Sequence, residues 1–91
     1  MKKAIRMHIS GSVQGISFRP FVKENAEKLG LKGFVRNLED GRVEIFIEGN
    51  PEEVKKMIEV CSKGPKHAEI REIVKHQEKF QSFKAFKVLH I

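Results

Sequence analysis

The chain has no tryptophan, no tyrosine, a single cysteine and only three prolines in 91 residues. One cysteine closes no internal disulfide and builds no zinc cluster, so a reducing compartment, the cytoplasm, is expected. Few prolines, with 40% hydrophobic and 33% charged residues, exclude a disordered tail and describe a folded, soluble chain. No apolar run approaches the ~20 residues a membrane span needs, and no hydrophobic stretch follows Lys2 and Lys3 as a signal peptide would require. A chain of this length supports one core burying somewhat over ~60% of the unfolded surface. Residues 1–91 are therefore expected to form one domain, taken as a monomer.

Acidic residues are also missing from the first quarter. Lys2, Lys3, Arg6, Arg19 and Lys23 all precede the first acid, Glu24, whereas 13 basic and 12 acidic side chains share the rest. The net charge of +6 is thus concentrated near the N-terminus. Such a segment suits a phosphate or carboxylate ligand, and it equally suits a solvated basic strand.

Periodicity gives the elements. Ile5, Met7 and Ile9 alternate with Arg6, His8 and Ser10 as a half-buried strand, and Gly11 to Ser17 reads as a loop. Pro20 suits the first turn of a helix whose stripe is Phe18, Val22, Ala26 and Leu29, ended by Gly30. Gly33–Leu38 and Arg42–Glu48 read as a hairpin around Glu39-Asp40-Gly41. Asn50-Pro51-Glu52-Glu53 opens a second helix with stripe Val54, Met57, Ile58, Cys61, and Gly64-Pro65 stops it. Ala68–His76 and Ala85–Ile91 are the last strands expected. The order is β-α-β-β-α-β with a short extra strand, an α+β ferredoxin-like sandwich with two helices on one face of a mostly antiparallel sheet.

One loop carries chemistry. Between the first strand and first helix stands Gly11-Ser12-Val13-Gln14-Gly15-Ile16-Ser17-Phe18-Arg19. Glycines there let consecutive N–H groups converge, the helix start adds its positive end, and Arg19 adds a forked donor for two phosphate oxygens. The spacing fits neither a P-loop nor a dinucleotide-binding fingerprint. By itself such a loop is as compatible with a plain turn as with a phosphate nest.

Val13-Gln14-Gly15-Ile16-Ser17-Phe18-Arg19, followed by Gly33-Phe34-Val35-Arg36-Asn37, resembles the acylphosphatase family, whose pattern is V-Q-G-V-x-F-R and then an aromatic-V-x-N strand. The resemblance spans essentially the whole chain, through Gly64-Pro65 to Phe86-Lys87-Val88. It implies hydrolysis of a carboxyl–phosphate anhydride to a carboxylate and inorganic phosphate. Arg19 and Asn37 match the family's catalytic arginine and asparagine, and the loop residues Gln14, Gly15, Ile16, Ser17 and Phe18 would bind the substrate. The physical reading agrees: the leaving carboxylate is already a stable anion, so the site must supply charge neutralisation and a positioned water rather than a general acid. The family mechanism hands the water's proton to the phosphate, which suits a site region with neither acid nor histidine. No covalent intermediate, cofactor or metal is expected.

Three positions depart from the family pattern: Ser12 stands where many members carry Arg or Lys, Ser17 where Gly or Cys is common, and Leu38 where Thr is frequent. The Phe18-Arg19-Pro20-Phe21-Val22 run is closer to the acylphosphatase-like domain at the start of hydrogenase-maturation carbamoyltransferases, which are much longer proteins. Elsewhere the residues read as structural. Cys61 lies on an apolar stripe, and His8, His67, His76 and His90 lack metal-ligand spacing. Phe80, Phe83 and Phe86 suit packing, and Arg36 should face away from Asn37 as an ion partner. Two alternatives share the fold, a silent phosphate-sensing domain and a nucleic-acid-binding module. The absence of Trp and Tyr speaks against the second, and neither nucleic acid nor a membrane is an expected partner.

Overall fold

The apolar stripes of the two helices and one set of alternating strand residues meet in a single layer. A computed structural model describes residues 1–14 and 17–90. Its elements run β1 (Lys3–Ser12), α1 (Phe18–Lys28), β2 (Lys32–Asn37), β3 (Val43–Gly49), α2 (Pro51–Lys63), β4 (Glu69–Glu78) and β5 (Phe86–Leu89). The five-stranded sheet has the order β4-β1-β3-β2-β5. All neighbours pair antiparallel except β2 and β5, which run parallel. This is the expected ferredoxin-like arrangement with its extra C-terminal strand.

Phe18, Val22 and Ala26 of α1 and Val54, Met57 and Cys61 of α2 are buried against Met7, Ile9, Val35, Ile45 and Ile47 of the sheet. Truncating a buried Phe such as Phe18 to Ala removes about 3–5 kcal/mol in such a setting. Burial also pushes the Cys61 thiol up to about 12, so it packs as a hydrophobe rather than reacting. Gly30 ends α1 in the left-handed region, with the Leu31 amide donating back to Ala26.

The alternation of β3 identifies its two faces but not that both are covered. On the face away from the helices, Glu44 is 5% exposed and accepts from Arg6 Nη1 at 3.1 Å, His8 Nε2 at 2.9 Å and Arg36 Nε at 2.6 Å. Burial alone would raise this carboxyl, but the bonds to His8, Arg36 and Arg6 outweigh it and hold Glu44 below its ordinary value. Arg36 is thus an ion partner facing away from Asn37, as alternation requires. Glu48, fully buried, accepts from the backbone amides of Gln81 and Phe83, both at 2.6 Å. It pins the β4–β5 connection across this face, and Phe83 packs on Phe34 and Phe46 there.

The loop after β1 begins later than glycine content suggests. Gly11 and Ser12 pair with Ile70 and Glu69, beyond a register shift at Ser10/Gly11. At Gly11 φ is +134°, and a side chain would overlap the Glu69 carbonyl, so β4 can pass this close only beside a glycine. The strand-breaking look of Gly11 is therefore a bulge that bends β1 toward α1, not the start of a loop.

Candidate active site

Three elements converge at one end of the strands, beside the start of central β3. The end of β1 delivers Val13 and Gln14, the start of α1 delivers Ser17, Phe18 and Arg19, and the end of β2 delivers Asn37. Gly15 and Ile16, both expected to bind substrate through the loop, lie outside the described residues. Val13, Ser17, Phe18, Arg19, Pro20 and Asn37 line a cavity of about 260 Å³. So Arg19 and Asn37, far apart in sequence, share one wall-to-wall space, and Phe18 contributes from its buried position.

The start of α1 is open. Ser17 precedes it at φ 62° and ψ 28°, a left-handed conformation that an L side chain adopts at a cost of about 1 kcal/mol or more. In this geometry the Ser17 side chain makes no capping bond, and the first turn carries no acid. The Ser17 carbonyl does accept the first helical bond, from Phe21 at 3.3 Å. The Phe18 and Arg19 amides therefore lie in the first turn, where helix N–H groups lack intrahelical acceptors and the helix dipole is positive. Pro20, which has no N–H to orphan, completes that turn.

Arg19 is half-buried and held from behind. Its Nη1 donates to the Leu89 carbonyl at 3.4 Å and lies 3.2 Å from His90 Nδ1, which accepts when the imidazole carries its hydrogen on Nε2. Its Nε and Nη2 have no acceptor among the described residues, so the outer edge of the fork remains for a ligand. Asn37 is the complementary case. Its Oδ1 is buried and has no hydrogen-bond partner among the described residues. An acceptor left this way costs about 1–3 kcal/mol, which a bound water or ligand donor recovers.

Gln14, expected to bind substrate, is tied through its side chain to the neighbouring hairpin. Its Nε2 donates to the Leu38 carbonyl at 2.9 Å and the Arg42 carbonyl at 3.0 Å, tying the loop to the β2–β3 hairpin directly beyond Asn37. Its amide hydrogens are spent on this strap. With Arg36, Asn37, Leu38 and Glu39 it lines a second space of about 470 Å³, so Asn37 stands at the junction of the two.

The arrangement also holds residues that sequence reasoning missed. His90 and the Leu89 carbonyl back Arg19 from about seventy positions away, and Glu39 borders the outer space. The region is therefore not free of acid and histidine, since β5 and the hairpin bring one of each to its rim. No local pattern could have signalled His90, because the parallel β2–β5 pairing brings it there, whereas Glu39 stands two residues after Asn37 in the hairpin. Among the described residues no group of three His, Cys, Asp or Glu side chains could hold a metal ion.

The chain matches known proteins in sequence and in fold. The family model described as Acylphosphatase matches residues 5–88. An Acylphosphatase from Acaryochloris marina is 44% identical over 81 residues, 89% of this chain and 87% of that protein. Among solved structures, the acylphosphatase from Bacillus subtilis superposes with a TM-score of 0.94 at 31% identity, covering 99% of this chain and all of that one. HypF from T. kodakarensis aligns at 36% identity and a TM-score of 0.86, covering 98% of this chain but 12% of its own length.

Proposed function

The chain belongs to the acylphosphatase family, and from that premise we propose how its residues hydrolyse the carboxyl–phosphate anhydride of an acyl phosphate to a carboxylate and inorganic phosphate. The observation that carries the proposal is the buried Oδ1 of Asn37, without a hydrogen-bond partner among the described residues, on a side chain that lines the same cavity as Arg19 and the start of α1. The phosphoryl group sits in that cavity. Two of its oxygens take the free edge of the Arg19 fork, and the amides at the start of α1 hold the rest, neutralising charge where it gathers in the transition state. Leu89 and His90 fix the guanidinium from behind, so little orientation is lost on binding.

Asn37 Oδ1 accepts a hydrogen bond from the attacking water, whose proton it does not take, and aims the water's oxygen in line with the leaving carboxylate. An asparagine suits this position better than a stronger base, because a carboxylate would repel the phosphoryl dianion. The water's remaining proton passes to a phosphoryl oxygen, and the carboxylate leaves without an acid. Gly15 and Ile16 supply backbone donors to the same phosphoryl group, while Gln14 positions Asn37 through the hairpin. The substrate is a small molecule. A single domain acting as a cytoplasmic monomer is part of the same reading, in keeping with the family match over residues 5–88; among the described residues no helix is long and apolar enough to cross a membrane.

Hydrolysis of benzoyl phosphate, followed by ultraviolet absorbance with a chelator present, tests this directly; the lack of Trp and Tyr keeps the protein's own absorbance low. Turnover should persist in chelator and vanish in Arg19→Ala. In Asn37→Ala turnover should fall while inorganic phosphate still binds. Equal loss of phosphate affinity in both variants would refute the division of roles, and turnover abolished by chelator would refute the charge-neutralising role given to Arg19.

A further inference from the structure

A third cavity lies away from the proposed active site. It measures about 530 Å³ and opens on the helix-free face of the sheet, between β2, β5 and the connection that precedes β5. Phe34, Phe83 and Leu89 form its apolar floor and wall, and Lys84 and Lys87 stand at its rim. Lys87 pairs with Phe34 in register, so their side chains share this face. The volume falls within the few hundred to ~1,000 Å³ typical of small-molecule sites.

The wall is built rather than incidental. Buried Glu48 grips the Gln81 and Phe83 amides with two short bonds of 2.6 Å, and the Gly33 amide donates to the Ala85 carbonyl at 3.1 Å. These contacts hold Phe83 over the sheet with 37% of its surface exposed. A side chain at Gly33 would overlap the Phe46 backbone, so this position cannot fill the groove. A wall held in place before a ligand arrives reduces the ordering cost of binding.

The charge around the groove is one-sided. Lys84 and Lys87 have no acidic partner among the described residues. The acids beneath are already committed, Glu48 to the connection's amides and Glu44 to Arg6, His8 and Arg36. An apolar floor under two unneutralised ammonium groups fits one kind of molecule. We propose that this groove is a second binding site that takes a small amphiphilic anion, an aromatic or branched apolar body carrying one carboxylate, sulfonate or phosphate, seated on Phe34, Phe83 and Leu89 with its charge between Lys84 and Lys87.

The probe is 8-anilinonaphthalene-1-sulfonate, an aromatic sulfonate whose fluorescence rises in apolar surroundings, added to the whole folded protein. Saturable one-to-one binding is expected, undisturbed by inorganic phosphate at concentrations that fill the Arg19 cavity. In Lys84→Glu/Lys87→Glu the dissociation constant should rise about tenfold or more, as loss and reversal of two charge-assisted contacts requires. Turnover of benzoyl phosphate in that variant should stay at the wild-type level. Backbone amide shifts in the wild-type protein locate the probe independently: Phe34, Ala85 and Lys87 should move and Ser17 to Arg19 should not. Displacement by phosphate, shifts centred on Ser17 to Arg19, binding that does not saturate, or an unchanged dissociation constant in the double variant would each overturn the proposal.

Discussion

The two helices begin in opposite ways. At α2, Asn50 adopts an extended backbone, its side chain accepts from the Glu52 amide at 3.2 Å, Pro51 occupies the first position, and Glu52 and Glu53 face the positive end of the dipole. A side-chain cap, a first-position proline and first-turn acids are all present. At α1, Ser17 is left-handed, caps nothing, and the first turn holds Arg19 in place of an acid. One start is satisfied by its own sequence, and the other keeps its field and its donors for an incoming anion. In the proposed mechanism the weaker helix start is the one that binds, and α1 is held instead by the packing of Phe18, Val22 and Ala26.

The contrast can be broken most severely at Arg19. Arg19→Ala should lower benzoyl phosphate turnover by about a thousandfold, the scale seen when one preorganised donor to a developing charge is removed. Steady-state kinetics at saturating substrate checks it, and a loss below about tenfold would deny Arg19 its role.

Giving α1 the acid that α2 already has sharpens the comparison. Ser17→Asp places a carboxylate where the phosphoryl group should sit, and inorganic phosphate affinity should drop about tenfold by like-charge repulsion. Isothermal titration measures it, and unchanged affinity would place the anion elsewhere.

Acid separates the start of α1 from a third region, the ion cluster around Glu44 on β3. Glu44 has a carboxyl held below its ordinary value of 4.5, so the unfolded chain takes up protons first as the pH falls. Its contribution is complete above that value and is lost as pH drops through the lowered one, with a slope of at most about 1.4 kcal/mol per pH unit from this one group. Urea unfolding between pH 6 and 3 should show the decline, and Glu44→Gln should flatten it. The first turn of α1 has no acid to titrate, so the phosphate cavity loses no carboxylate there over this range.

The smallest effect belongs to the closed helix. Asn50→Ala should cost about 1 kcal/mol of stability, read from the urea midpoint, with turnover unchanged. A change in turnover would mean the two starts are coupled.

What could be read from the sequence follows the range of the forces involved. The start and end of α2 are legible because Asn50-Pro51-Glu52-Glu53 and Gly64-Pro65 act within a few residues of themselves. Arg19 and Asn37 are legible through a motif, since neither residue announces a role by charge or spacing alone. The strap from Gln14 to the hairpin, the burial of Glu44 and Glu48, and the approach of His90 to Arg19 are not legible. Each depends on which strands become neighbours, and alternation along β3 says which side a residue takes without saying what lies over it. Gly11 misleads for a related reason: its freedom serves the close passage of β4, not the loop that follows.

The hold on Arg19 by Leu89, 70 positions along the chain, bears on the order of folding. Helices and the β2–β3 hairpin can form from neighbours, whereas β5 must find β2 across more than half of the polypeptide, Gly33 meeting Phe86. A refolding chain can therefore acquire its helical signal while the arginine is still unsupported. Enzymatic activity regained during refolding should lag behind circular dichroism, and that lag would time the docking of the last strand.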